Sequence, residues 1–137
     1  MESQPSGDRL IAVLKSIGGV VIGGIVTAVT YWIAIVVAFL AMHGIPLGSA
    51  GGPPTTGDVT VHLAAAAGAS FAGGRVAARI AGHRPRLHAL VPGLLLGTGA
   101  FIGLSKPPSN WPDWFAYAMA SVCIGGAILA GRTARPR

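Results

Sequence analysis

Charge is what this chain has least of. Of its 137 residues only four are acidic and ten basic, so charged side chains make up 10% of the total; an ordinary soluble domain carries roughly 25%. A soluble fold with so little charge could not cover its own surface, so lipid must share that task. Cysteine is nearly absent too. Cys123 stands alone, which excludes an intrachain disulfide and a thiolate metal cluster. Set in an apolar run without cationic neighbours, it reads as a small packing residue. The sequence also lacks a phosphate loop, a nucleophile elbow and any pair of catalytic carboxylates. No catalytic residue, no cofactor site and no enzymatic activity are expected.

What is present is length without polarity. Four apolar stretches fall at about residues 17–40, 58–82, 87–104 and 111–130. The first, of 24 residues, would measure roughly 36 Å as a helix, enough to cross a hydrocarbon core of about 30 Å with some tilt. It is too long for a cleaved signal. Polar tails occupy 1–8 and 132–137, and Arg9–Lys15 reads as a short interfacial lead-in. The connections are Gly/Pro-rich at 43–57, basic at His83-Arg84-Pro85-Arg86, and SKPPSNWPD at 105–113. Asp58 suits the N-terminus of the second helix, Asn110 and Asp113 have capping-box spacing, and Pro92 falls in the first turns of the third. Trp111, Trp114 and Tyr117 cluster where an interfacial aromatic belt belongs. The chain is thus expected to be one all-α transmembrane domain, a four-helix bundle.

The few charges are distributed unevenly. Arg9, Lys15, Arg75, Arg79, Arg84, Arg86, Arg132, Arg135 and Arg137 flank one side of the four stretches, and only Lys106 the other. A Lys/Arg excess in short loops marks the cytoplasmic face, which places both termini inside the cell. The net charge of +6 is therefore a topology signal rather than a sign of nucleic-acid binding. Arg75, Arg79, Arg84 and Arg86 form a cytoplasmic basic face suited to anionic membrane lipids.

Small residues at four-residue spacing are the strongest local pattern. Gly19 and Gly23, Gly93 and Gly97, and Gly99 and Gly103 form GxxxG pairs, and Gly73 and Ala77 belong to an unbroken small stripe down the second stretch. In lipid, helices associate through close backbone approach and dispersion rather than hydrophobicity. These positions can pack helices within the chain or join it to a second copy or a larger membrane complex, and the second stretch reads as the central helix. The second and fourth stretches both end in small residues and arginines, so a duplicated hairpin and a chance match in Gly/Ala-rich sequence both stay open.

Polar groups inside the spans are few: Thr27, Thr30, Tyr31, Ser70, Thr98 and Ser121, and the Ser and Thr side chains can bond their own helices. No central carboxylate is present to couple transport to protons. Phe71 and Phe101 read as core. His43, Asp58 and His62 stand at facing helix ends and make a weak candidate site for zinc or another divalent metal.

The stretch AGGRVAARIAGHRPRLHALVPGLLLG resembles the central hairpin of small four-span membrane proteins of bacteria, with a likeness over about residues 64–97. It implies a bacterial inner-membrane setting and no particular activity. Three functions stay open on these grounds. The leading one is a non-enzymatic packing or accessory protein, followed by a small oligomeric transporter or channel, then a metal-dependent activity at the outer cluster.

Overall fold

The computed structural model describes residues 6–44, 53–82, 84–105 and 110–134. It is all-helical, with α1 (Ser6–His43), α2 (Thr56–Ala81), α3 (Pro85–Leu104) and α4 (Phe115–Thr133) in order. Among the described residues three helices, α1, α3 and α4, are long and apolar enough to cross a membrane. The 26 residues of α2 give it the length, but its alanines and glycines are only weakly apolar and it carries Arg75 and Arg79. Residues 1–5, His83, Lys106, Arg135 and Arg137, with most of the 43–57 loop, lie outside the described residues.

Several boundaries differ from expectation. The lead-in at Arg9–Lys15 is continuous with the first span, so α1 is one helix of 38 residues, about 57 Å long. No proline interrupts it. Thr55, not Asp58, is the N-cap of α2: its side chain accepts from the Asp58 N–H while the Asp58 carboxylate reaches back to the Thr55 N–H. The signal is Thr55-Thr56-Gly57-Asp58, a capping box that begins one turn before Asp58. Before the fourth helix, Pro112–Phe115 form a turn closed by the Phe115 N–H donating to the Pro112 carbonyl, 2.9 Å, and no side chain caps α4. Asn110 and Asp113 therefore do not act as a capping box. Pro92 lies inside α3 and is fully buried, in its third turn because the helix starts at Pro85, two residues earlier than expected.

The helices alternate in direction, with Ser6 and Thr133 at one end and His43 and Leu104 at the other. Helix α2 touches α1, α3 and α4, and α3 touches α1, α2 and α4, whereas α1 and α4 do not meet. The bundle is therefore a lozenge whose short diagonal is α2–α3. Contact between α2 and α3 has no counterpart between α4 and α1, so the two hairpins are not equivalently placed.

Packing changes character along the axis. Toward the Leu104 end, Ala66, Phe115, Met119 and Cys123 are buried, with Tyr31, Leu63 and Trp111 against them. Toward the other end the buried set is Ala78, Ala89 and Ala130, and backbones come close together. The core phenylalanine is Phe115. Phe101 lies at the surface with its ring edge on Tyr117, 5.3 Å between centroids, and Phe71 is half-buried beneath Arg75. Helix α1 exposes a long apolar row, including Ile17, Val21, Ile25, Val29, Trp32 and Val36. Three apolar helices and this row describe a membrane-embedded protein.

Candidate functional site

The GxxxG pairs divide into two kinds. Gly19 and Gly23 face α2: a Cβ on Gly19 would meet the Ala77 carbonyl oxygen at 2.9 Å, and one on Gly23 the Gly73 oxygen and the Ala77 Cβ, each at 2.7 Å. Thr27 continues this row, 2% exposed, its hydroxyl donating to the Gly23 carbonyl at 2.9 Å. Gly93 and Gly97 do the same against α4, where a Cβ on Gly93 would meet the Cys123 carbonyl oxygen at 2.7 Å and one on Gly97 the Cys123 Cβ at 3.3 Å. Gly99 and Gly103 have nothing within 4 Å of a Cβ. Four small residues of α1 and α2 and two of α3 thus set helix spacing, while one GxxxG pair of α3 is open.

At the Leu104 end the structure brings two members of the proposed metal cluster together and turns the third away. His43 Nε2 and Asp58 Oδ1 are 2.9 Å apart. The other carboxylate oxygen accepts from the Thr55 N–H at 2.8 Å and the Thr55 hydroxyl at 2.7 Å. This surface cluster ties the end of α1 to the start of α2. His62 Nδ1 instead donates to the Asp58 backbone carbonyl at 2.8 Å. Its ring sits edge-on to Trp111, 4.8 Å between centroids, with Tyr31 and Phe115 each at 6.3 Å. Trp111 in turn stacks on Phe115 at 4.3 Å. Among the described residues, no group of three His, Cys, Asp or Glu side chains could hold a metal ion. An i,i+4 spacing put His62 on the face of Asp58, but it could not reveal that the ring packs into an aromatic box (Trp111 belongs to that box, while Trp114 and Tyr117 face outward).

At the opposite end the basic residues spread over two faces. Arg75 is half-buried, its guanidinium 5.7 Å from the centroid of Phe71; this cation–π contact screens the ring. Arg79 is exposed. Arg84 and Arg86 bracket the start of α3 and, with Arg132 of α4, line a cavity of about 450 Å³. Sequence reading grouped Arg84 and Arg86 with Arg75 and Arg79; the structure groups them with Arg132.

No family model matches the chain, and no curated protein or solved structure matches it either.

Proposed function

We propose that this chain is a small integral membrane protein of four spans, of a non-enzymatic packing or accessory type, that joins a second copy or a larger membrane complex. In this reading it sits in the inner membrane of a bacterium with both termini cytoplasmic, and α2 is the fourth span. Enclosure by three neighbours lets α2 be poorer in apolar side chains than a helix facing lipid.

The observation that carries the association is the asymmetry among the glycine pairs. Gly19, Gly23, Gly93 and Gly97 meet neighbouring helices of the same chain, whereas Gly99 and Gly103 stand open on α3 beside exposed Leu95 and Ile102. A GxxxG face with no partner inside the chain suits close approach of a helix from outside it. Leucine at Gly19 or Gly23 would damage the fold, so the test belongs on α3.

The experiment is crosslinking and mass-spectrometric identification of co-purifying proteins from native membranes, with wild type beside Gly99→Leu/Gly103→Leu. The expected result is a homo-oligomer or stoichiometric membrane partner in wild type, lost in the double variant. A wild-type monomer without a partner, or association unchanged by the double variant, would overturn the reading.

A further inference from the structure

We propose that the cavity between the start of α3 and the end of α4 is a binding site for a phosphate-bearing anion, held by Arg84, Arg86 and Arg132. It is independent of the association proposed above, since none of its residues lies on the Gly99/Gly103 face.

The site is assembled by local backbone features. Gly82 (φ 71°) ends α2 and Arg84 adopts the left-handed conformation at φ 45°, ψ 52°, which is strained for a non-glycine residue. Its carbonyl then accepts from the Leu87 N–H at 3.0 Å, and His88 Nδ1 donates to it at 3.1 Å. Pro85 occupies the first helical position, where its missing N–H costs nothing and its fixed φ suits the turn. Arg84 and Arg86 are thereby held either side of a rigid start to α3. On the other wall, Gly131 is buried, and a Cβ there would stand 3.0 Å from the Arg86 Cα. That close approach carries Arg132, the next residue, to the rim.

Three arginines line one cavity, and their like charges repel unless something negative lies among them. Among the described residues the one ion pair is His43–Asp58, at the far end of the bundle; no carboxylate meets these arginines. The positive end of the α3 dipole points here, but so does the negative end of α4, and the two offset. The guanidiniums therefore carry the charge. Phosphate oxygens suit them because guanidinium presents paired N–H donors in a planar fork that matches phosphate geometry. The volume, about 450 Å³, lies within the usual range of small-ligand sites, about 300–1,000 Å³. Leu87 and Ala134 add apolar wall, as a headgroup continuous with acyl chains would need. An anionic phospholipid headgroup and a free phosphate share this chemistry.

The test uses the full chain purified in mild detergent and read by native mass spectrometry. One arm adds phosphatidylglycerol or phosphatidylcholine, and the other adds inorganic phosphate. Variants are Arg84→Gln, Arg86→Gln and Arg132→Gln, with Lys15→Gln as an equally charge-reducing change outside the cavity. Helicity and elution volume serve as checks of the fold, and Arg132→Lys keeps the charge without the fork. The proposal expects binding in at least one arm, reduced about five- to tenfold by each glutamine variant, less by Arg132→Lys, and under twofold by Lys15→Gln. Preference for phosphatidylglycerol with weak phosphate binding assigns a lipid headgroup; the reverse assigns a free phosphate. No binding in either arm, or equal loss in Lys15→Gln, would overturn the site.

Discussion

Replacing Gly23 by alanine should destabilise the bundle, whereas the same change at Gly103 should not. At Gly23 the new methyl would lie 2.7 Å from the Gly73 carbonyl oxygen and 2.7 Å from the Ala77 Cβ. A carbon and a carbonyl oxygen settle at about 3.3 Å or more, so α1 and α2 must separate by about 0.6 Å. One obstacle is backbone and the other a Cβ, so neither can rotate aside. Overpacking of this kind costs about 1–3 kcal/mol, and the better helix propensity of alanine returns at most about 1 kcal/mol. The net expectation is a loss of up to about 3 kcal/mol. At Gly103 nothing of the same chain lies within 4 Å, so in the monomer only the propensity gain remains, up to about 1 kcal/mol. Reversible unfolding of the purified protein in mixed micelles, followed by far-ultraviolet circular dichroism, measures both. Equal stability of the two variants, or a Gly23→Ala protein firmer than wild type, would refute the packing of α1 on α2 described here.

Other consequences can be checked on the same preparation. His62→Ala removes a ring from the box of Tyr31, Trp111 and Phe115, and should cost about 1–2 kcal/mol without changing metal content by elemental analysis. Asp58→Ala removes the capping box and the His43 contact, with an expected loss of about 1 kcal/mol in the same unfolding experiment. Cys123 is 0% exposed, so a maleimide should label it only when the bundle opens, at a rate that rises in Gly23→Ala.

The helices were legible because lipid leaves a simple mark, long apolar runs with arginines gathered at one end. The prominence of α2 was legible from its small residues, since a helix enclosed by three others has no room for large ones. The cap at Thr55 is visible in Thr55-Thr56-Gly57-Asp58, although the carboxylate of Asp58 before an apolar run is itself a cap signal one turn later. Two features were not local. His62 could join Asp58 or an aromatic box, and the choice depends on Trp111, which folds back from a turn 49 residues later. Arg132 comes to the same cavity as Arg84 and Arg86 because Gly131 lets α4 approach α3. Spacing along one helix says nothing of such meetings.

The central claim is that α2 crosses the membrane with the other three helices, and the parity of crossings tests it directly. Single cysteines at Ser6→Cys, Thr56→Cys, Ser105→Cys and Thr133→Cys, each in a Cys123→Ala background, can be labelled in intact cells with an impermeant maleimide. Four crossings put residues 6 and 133 on the same side, unlabelled until the cells are opened, with 56 and 105 labelled from outside. Labelling of 6 and 133 from opposite sides would mean an odd number of crossings and would contradict the account.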